Sequence, residues 1–363
     1  MRKRMLVALM TLVMMMTVAA GCGNSTADKD KTTPPPQQRS VVDMTGVEVK
    51  LPAEVNTVAN CWPSSNQIMI TLGATDKQPA YFSILKTQSF SWMQLVNPAI
   101  TEKPAFGAGS AVTAEELLTL KPDLVITANA NDAEAFRNAG LTTLCMMFNN
   151  YKGLKESVLK TGEALGGDAT TRAQAYVGYL DGNIKMVQDR LADVPNESRP
   201  TVYYLDGQSG KTPYSTGGSG TMQEEWITMG GGQLATAELF QGMTKEITPE
   251  ELIKLDPDYI VVGGLNQATA HKALMADTNL ANLKAIKDGH VYRIPQGTFQ
   301  WDRFGSESAL QVVWMAKTLY PDKFADVDLK KMTVDFYKDY LDYDLSSEYA
   351  DAILAGKNSP TGE

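Results

Sequence analysis

One segment occurs twice in the chain, first as Thr113-Ala-Glu-Glu-Leu-Leu-Thr-Leu-Lys-Pro-Asp-Leu-Val-Ile-Thr127 and 135 positions later as Thr248-Pro-Glu-Glu-Leu-Ile-Lys-Leu-Asp-Pro-Asp-Tyr-Ile-Val-Val262. In each copy the threonine can cap a helix, and the glutamate three residues later can close a capping box. Proline ends the helix, and an unbroken apolar run follows, as is typical of a parallel strand buried on both faces. Each half of the chain is therefore predicted to contain a helix, a turn and a buried strand, and the fold class is α/β.

A long helix is predicted between the two copies. Asp168 can cap it, and no proline interrupts the chain until Pro195, so the helix spans roughly 40 Å at 1.5 Å per residue. A continuous helix of this length is a stiff connection between two lobes. We expect an N-terminal lobe over 40–167, a bridging helix over 168–195, and a C-terminal lobe with a helical tail over 196–363.

The N-terminus predicts export from the cytoplasm. Three positive charges within residues 1–4 precede an apolar stretch over 5–20, which is the pattern of a secretory signal. The signal, over 1–21, ends in a sequence that resembles a bacterial lipobox, although Ala19 stands where that pattern prefers leucine. The resemblance implies lipidation of Cys22, and the polar, proline-containing residues 22–39 are predicted to be a disordered tether. The folded part is then extracytoplasmic and anchored to the membrane.

Composition argues against several classes of function. Lys and Arg total 33 against 42 Asp and Glu, without a long basic run, so no nucleic-acid partner is expected. The chain has only two histidines, His271 and His290, too few to favour a histidine-based metal centre or catalytic network. We predict neither an enzyme nor a resident cofactor.

Ligands of open α/β sheets collect beyond the carboxyl ends of the strands. The loops predicted at those ends are rich in aromatic and amide side chains, which suit a large ligand with flat or apolar faces. The predicted ligand contacts are Trp62, Ser64, Tyr81, Trp92, Asn129, Phe148, Asn149, Tyr214, Ser215, Thr221, Asn266, Trp301 and Arg303.

Several segments, in this order, resemble the substrate-binding lipoproteins of ABC importers for iron-siderophore, haem and cobalamin, the class III periplasmic binding proteins. They are Trp62-Pro-Ser-Ser-Asn-Gln67, the two Glu-Glu-Leu…Pro-Asp blocks, Met229-Gly-Gly-Gly232 and Trp301-Asp-Arg303. The resemblance spans about residues 40–345. It implies two Rossmann-like lobes joined by a single long bridging helix, a ligand cleft between the lobes, and little hinge motion. A monomer is expected.

The resemblance also implies a docking role. Members of that family place one acidic residue on the outer tip of each lobe, where it pairs with arginines of the ABC permease. By position these residues are Glu115 and Glu250. Glu116 and Glu251 are occupied by the predicted capping boxes, which leaves their neighbours free to face outward.

The identity of the ligand stays open between several metal chelates. A ferric catecholate is usually held by several cations, yet the predicted loops contain only Arg303, with Lys86, Lys152 and Lys211 as further candidates. An iron-siderophore of lower charge, such as a hydroxamate complex, is therefore the first expectation, and a corrinoid or haem would suit the same loops. The residues also leave open a molybdate-type oxyanion, bound through Ser64 and Ser215, and a chelatase-like enzyme on the same fold. Cys61 and Cys145 could be paired or free.

Overall fold

Each copy of the duplicated segment forms a capped helix and a buried strand in the computed structural model, which describes residues 39–109, 111–208, 210 and 212–362. Both predicted capping boxes are present, Thr113 with Glu116 and Thr248 with Glu251. The C-cap residues of the two helices, Lys121 and Asp256, directly precede the prolines, and both have a positive φ. The chain cannot continue as a helix there because a proline disfavours the helical conformation of the residue before it.

The strands are β1 (Arg39–Val42), β2 (Glu48–Leu51), β3 (Val58–Asn60), β4 (Tyr81–Phe82), β5 (Ala105–Phe106), β6 (Leu124–Thr127), β7 (Thr143–Cys145), β8 (Thr201–Asp206), β9 (Ser215–Thr216), β10 (Gln233–Leu234), β11 (Lys245–Glu246), β12 (Tyr259–Gly263) and β13 (Val291–Arg293). The helices are α1 (Pro63–Thr71), α2 (Ser91–Val96), α3 (Ala99–Glu102), α4 (Ala114–Leu120), α5 (Ala130–Asn138), α6 (Tyr151–Leu165), α7 (Asp168–Arg190), α8 (Met222–Met229), α9 (Pro249–Leu255), α10 (Gln267–Ala276), α11 (Lys284–Lys287), α12 (Ser308–Leu319), α13 (Leu329–Leu341) and α14 (Ser347–Leu354).

The two duplicated strands occupy equivalent places in two separate sheets. In the first half of the chain, β6 lies between β3 and β7, and all three strands are parallel. In the second half, β12 lies between β8 and β13, again in parallel, while β9 and β11 extend the sheet in antiparallel pairing and β10 pairs with β8. This arrangement confirms the predicted α/β class.

The aspartate of each Pro-Asp pair ties two neighbouring strands together at their starts. Asp123 accepts hydrogen bonds from the backbone N–H groups of Asn56 and Thr57, both at 2.9 Å. Asp258 accepts them from the N–H and the hydroxyl of Thr201, at 2.8 and 2.9 Å. The duplication therefore repeats a specific contact between strands as well as the elements themselves.

Helix α7 connects the two halves and has 23 residues, a length of roughly 35 Å. Asp168 is its first residue rather than its cap, and the helix ends at Arg190, five positions before Pro195. It contacts the second half through Tyr176, whose hydroxyl donates to the Ser306 carbonyl at 2.9 Å. Residues 38 onward form one compact unit, and the lobe boundaries stay predictions. Below, 40–167 is called the first lobe and 196–362 the second.

The N-terminal predictions concern mostly residues outside the described part. The signal over 1–21, Cys22 and the tether up to residue 38 all lie there. Arg39, the last residue of the predicted tether, instead begins β1, because it pairs with Leu51 and its guanidinium donates to the carbonyls of Ala53 and Ala164. Within the described residues, none of the helices has both the length and the hydropathy required to cross a bilayer.

Candidate ligand site between the lobes

Three aromatic rings from three loops meet where the lobes touch. Trp62 follows β3, Phe148 follows β7, and Phe304 belongs to the loop between β13 and α12. The ring centroids are 5.5 Å apart for Trp62 and Phe148, 6.1 Å for Trp62 and Phe304, and 5.8 Å for Phe148 and Phe304. Trp62 and Phe148 are 8% and 4% exposed, and Phe304 is half-buried. We call these three rings the aromatic trio; they pack together where the two lobes meet, and Phe304 keeps the most exposed surface of the three.

Phe304 has an unusual backbone conformation, with φ at +40°. A bulky side chain in the left-handed region costs about 1–3 kcal/mol and persists only where neighbouring contacts hold it. Here the hydroxyl of Ser64 donates to the Phe304 carbonyl, and the indole N–H of Trp226 donates to the carbonyl of Asp302, two residues earlier, at 3.2 Å. Strained positions of this kind cluster at binding sites, which supports placing the candidate site here.

A group of charged side chains surrounds Arg303, the residue directly before Phe304 in the second lobe. The Arg303 guanidinium pairs with Asp206 at 3.1 Å and Asp302 at 3.0 Å, and it also donates to the Tyr204 hydroxyl. The Tyr204 hydroxyl in turn donates to Asp302 at 2.6 Å. Burial alone would lower the pKa of Arg303, but the anionic neighbours raise it well above its usual range. We call these four residues the charged cluster.

The charged cluster keeps one donor and one acceptor without a protein partner. Arg303 uses Nε and Nη2 in its hydrogen bonds, whereas no partner for Nη1 is found among the described residues. Asp302 Oδ1 is buried and likewise without a partner in the described part of the chain. With two carboxylates against one guanidinium, the cluster is net negative. The unpaired Nη1 can still donate to one ligand oxygen, but the net charge makes the cluster poorly suited to a ligand of high negative charge.

A buried carboxylate, that of Glu307, links the two lobes by hydrogen bonds. Glu307 is fully buried and accepts hydrogen bonds from Gln67 of α1 at 2.8 Å and from the indole N–H of Trp301 at 3.2 Å. It also accepts them from the hydroxyls of Thr298 and Tyr337, both at 2.7 Å. Desolvation raises the pKa of Glu307 above its usual 4.5, although the hydrogen bonds oppose this shift. We call these five residues the Glu307 network.

Helix α1 reaches the second lobe through a stripe of polar residues. Ser64, Gln67 and Thr71 lie at helical spacing and are all buried. Ser64 bonds Phe304, Gln67 bonds Glu307 and the N–H of Ser306, and Thr71 bonds the Ser306 hydroxyl at 2.8 Å. Every buried polar group on this stripe is thus satisfied across the contact between the lobes, as a stable buried surface requires.

Among the predicted ligand contacts, the structure brings together Trp62, Phe148 and Ser64 around Phe304, while Arg303 is the neighbour of Phe304 in sequence and Trp301 contacts Glu307. Trp301 is 0% exposed and has its indole N–H bound to Glu307, so it supports the site from within the core. The predicted ion pair of Arg303 with Asp302 is present, and Asp206 is a second partner.

Two predicted aromatic contacts lie elsewhere, as a correction to the sequence analysis. Tyr81 is fully buried in the first lobe, where its hydroxyl accepts from Asn97 at 2.9 Å. Trp92 is 1% exposed, and its indole N–H donates to the carbonyl of Lys357 in the C-terminal tail at 2.9 Å. Neither ring has surface to offer a ligand in this structure, because both complete the packing of the protein.

Several predicted polar contacts are used for local structure instead. Asn129 caps α5 by accepting from Asn131 and Asp132, and Thr221 caps α8 by accepting from Glu224. The other three polar or amide residues are placed as follows: Asn266 is exposed and donates to the Gln208 carbonyl, Asn149 is exposed beside Asn150, and Ser215 is buried in β9.

Tyr214 is half-buried and makes its side-chain hydrogen bond within the second lobe. Its hydroxyl donates to Asp277. Burial, this hydrogen bond and the nearby charge of Glu250 raise the pKa of Tyr214 to about 12. The tyrosine is therefore a neighbour of a predicted docking residue.

Glu115 and Glu250 are both exposed in the first turns of α4 and α9. Their carboxylates have no hydrogen bond or ion pair with any described residue. Of the candidate lysines, Lys86 donates to the Thr101 and Lys103 carbonyls, Lys152 lies 3.8 Å from Glu156, and residue 211 falls outside the described part. Neither Lys86 nor Lys152 therefore supplements the charged cluster.

Cys61 and Cys145 are both free thiols. Burial, with smaller contributions from Asp132 and Glu116, raises the pKa of Cys61 to about 12. No group of three or more His, Cys, Asp or Glu side chains within the described residues is placed to hold a metal ion.

Sequence reasoning missed Phe304, Tyr204, Asp206, Gln67 and Glu307 as site residues. Two signals were available. Asp206 ends a buried strand at the edge where ligands bind, and the polar stripe of α1 has a helical spacing that no solvent-exposed face explains. Phe304 and Glu307 carry no comparable local signal.

Comparison with known proteins assigns the class. A model of the periplasmic binding protein family matches residues 58–298, more than half of the chain, and the chain belongs to that family. The predicted family is thereby confirmed, and as a periplasmic binding protein the chain is extracytoplasmic.

Curated relatives include binders of two different solutes. The chain is 26% identical over 328 residues to the molybdate-binding protein MolA of Haemophilus influenzae, covering 83% of this chain and 90% of that protein. It is also 26% identical over 212 residues to the Fe(3+)-citrate-binding protein YfmC of Bacillus subtilis, covering 54% and 61%.

Solved structures share the fold. A periplasmic solute-binding protein from Veillonella parvula has a TM-score of 0.74 at 23% identity, covering 88% of this chain and 97% of that one. The molybdate-bound MolA structure has a TM-score of 0.74 at 24% identity, covering 85% and 99%. The nickel–histidine complex of CeuE from Helicobacter pylori has a TM-score of 0.71 at 18% identity, covering 86% and 98%.

Proposed function

We propose that this protein binds a metal chelate between its lobes, an iron-siderophore complex before any other, and delivers it to an ABC permease. The observation that carries the proposal is the aromatic trio, which both lobes build, together with Arg303, which directly precedes Phe304 and has no partner for Nη1 among the described residues. Such a site suits a chelate with an apolar or flat face and one anionic oxygen at its edge.

The negative net charge of the charged cluster limits which chelates can bind next to it. The charged cluster holds two carboxylates and one guanidinium, and no further free cation of the described residues joins it. A ferric catecholate of high negative charge would be repelled there, whereas a hydroxamate or carboxylate chelate of lower charge would not. A corrinoid or haem meets the same trio and remains within the proposal as an alternative ligand.

A molybdate-type oxyanion is the second candidate. The relative that binds molybdate is similar over 90% of its own length, which favours this ligand independently of the rings. An oxyanion would depend on hydrogen-bond donors such as Arg303 Nη1 and would need little from the trio. Removing a ring should therefore weaken binding of a chelate and leave binding of an oxyanion unchanged.

Delivery is proposed to use the two exposed glutamates. Glu115 and Glu250 lie at equivalent places in the two copies of the repeat, and both carboxylates are free for cationic side chains of the permease. We further propose that the monomer is held at the membrane by a lipid on Cys22.

The ligand proposal can be tested by thermal unfolding and calorimetric titration of the full chain with ferrioxamine B, ferric citrate, haem, cyanocobalamin and sodium molybdate. A bound ligand at 100 times its Kd adds about 2.7 kcal/mol of stability. We expect a ferric chelate to bind and Trp62→Ala to weaken it roughly tenfold. Tyr292→Ala, an exposed ring outside the site, serves as the control.

The titration with molybdate distinguishes the chelate proposal from the oxyanion candidate. Binding of molybdate alone, lost in Arg303→Lys and unchanged in Trp62→Ala, would replace the chelate proposal with the oxyanion candidate. If none of the five probes binds, the chelate proposal is wrong.

A further inference from the structure

Two exposed aliphatic side chains repeat with the duplication. Leu118 in α4 is 47% exposed and Ile253 in α9 is 46% exposed. They are separated by the same 135 positions as Glu115 and Glu250. The other large hydrophobic side chains that are exposed in the described part of the chain have no counterpart at this spacing; they are Val42, Val47, Leu159, Leu239, Met243, Met275 and Tyr292.

Each aliphatic residue lies beside a predicted docking glutamate. Leu118 follows Glu115 by three positions, and Ile253 follows Glu250 by three, so each pair shares one face of its helix with about 5–6 Å between Cβ atoms. The residue just before each of them, Leu117 or Leu252, is 0% exposed. The core contact of each helix is therefore already made, and packing within the protein does not require the exposed side chain.

We propose that each lobe docks on the permease through a carboxylate–aliphatic pair, Glu115 with Leu118 and Glu250 with Ile253. The permease surface that fits has, at two matching places, a cationic side chain beside an apolar patch. This inference rests on the proposed function and adds to it the apolar half of the contact.

The physical reason lies in the weakness of exposed ion pairs. A solvent-exposed carboxylate and cation contribute about 0–1 kcal/mol because water and salt screen them. An aliphatic side chain buried next to such a pair excludes water, which strengthens the ion pair and adds its own burial. Two such pairs, one on each lobe, bind as a bivalent unit and fix the orientation of the protein on the permease.

The experiment measures association of the full chain with its cognate permease in lipid nanodiscs by biolayer interferometry. We expect Leu118→Ser and Ile253→Ser each to weaken association roughly tenfold, and the double variant to weaken it roughly a hundredfold. Leu159→Ser is the matched control, since Leu159 is also exposed but lies on α6, and it should change association less than twofold. Thermal unfolding should be nearly unchanged in all of them, because the substitutions are on the surface.

The outcomes separate this inference from the docking proposal beneath it. If Glu115→Ala with Glu250→Ala abolishes association while the two serine variants bind like the wild type, the carboxylates dock alone and the inference is overturned. If neither pair of substitutions affects an association that the wild type makes, both proposals are overturned. If sedimentation velocity shows a wild-type dimer that the double serine variant abolishes, with permease binding intact, the patches join copies of this chain and the inference is wrong.

Discussion

The two lobes share a scaffold and differ at the surface they turn toward each other. In both, a capped helix precedes a central strand, and an aspartate ties that strand to its neighbour. Yet the loops of the first lobe supply the rings of Trp62 and Phe148, whereas the second lobe supplies one ring, Phe304, and beside it in sequence Arg303, which is paired with two carboxylates. The comparison shows that the duplicated segment sets where the strands end, and that the unrepeated loops beyond them set the chemistry of the site.

The largest loss of stability is expected from a substitution in the Glu307 network, through which the two lobes contact each other. Glu307→Ala leaves Gln67, Trp301 and other buried donors without an acceptor and should lower the free energy of unfolding by roughly 3–5 kcal/mol. Urea unfolding followed by circular dichroism measures this. Glu115→Ala, an exposed carboxylate, should stay within about 0.5 kcal/mol. An equally small effect at Glu307 would mean that the lobes do not depend on this contact.

The same carboxylate predicts a dependence of stability on pH. The pKa of Glu307 is raised above 4.5 in the folded protein, so its contribution is fully present below pH 4.5 and is lost as the pH rises through the folded-state pKa. Glu307→Gln cannot titrate and should flatten this part of the stability profile between pH 4 and 8. A profile identical to that of the wild type would contradict the assignment.

A smaller effect tests whether the scaffold is truly equivalent in the two lobes. Asp123→Ala and Asp258→Ala each remove hydrogen bonds at the start of a strand pair and should each cost about 1–2 kcal/mol of unfolding free energy. Burial would raise the pKa of both aspartates, but hydrogen bonds, with Lys284 beside Asp258, hold it below 3.8. Their contribution is thus present above pH 3.8 and lost as the pH falls further.

Urea unfolding of the two aspartate variants at pH 7 and at pH 3 checks this prediction. Equal losses at pH 7 that shrink at pH 3 would confirm the equivalence. If one variant loses more than twice as much unfolding free energy as the other, the two lobes are not equivalent at this contact.

The last prediction concerns the reactivity of Cys61, which directly follows β3 in the first lobe. Because burial raises the pKa of Cys61 to about 12, little thiolate exists at pH 8, and its alkylation by iodoacetamide should be over a hundredfold slower than that of an ordinary cysteine. Mass spectrometry of the modified peptides measures the rate at each cysteine. The guanidinium-unfolded protein is the control. Rapid modification of Cys61 in the folded protein would show that this strand end is open to solvent.

Much of the scaffold was predictable from short segments. The capping boxes, the buried strands and the free positions of Glu115 and Glu250 depend on residues three to ten positions apart, whose interactions are the same wherever the segment lies. Helix α7 was also predictable, although its end at Arg190 was not, since the last turn depends on packing rather than on the distant proline.

The candidate site was predictable only in part. Trp62, Ser64, Phe148 and Arg303 were among the expected contacts, while Tyr81 and Trp92 turned out to complete the packing of the first lobe and the tail. An aromatic residue in a loop after a strand has the same local pattern whether its ring points to a cleft or to the core.

By itself, the sequence determined the α/β class, the duplicated helix and strand, and the outward glutamates, because these follow from hydrogen bonds and burial within one segment. Only the tertiary structure decided that Phe304 completes a ring cluster with Trp62 and Phe148, and that Glu307 accepts a hydrogen bond from Gln67. These contacts join residues about 150 to 240 positions apart, and the direction of each side chain is chosen by the packing of the whole molecule.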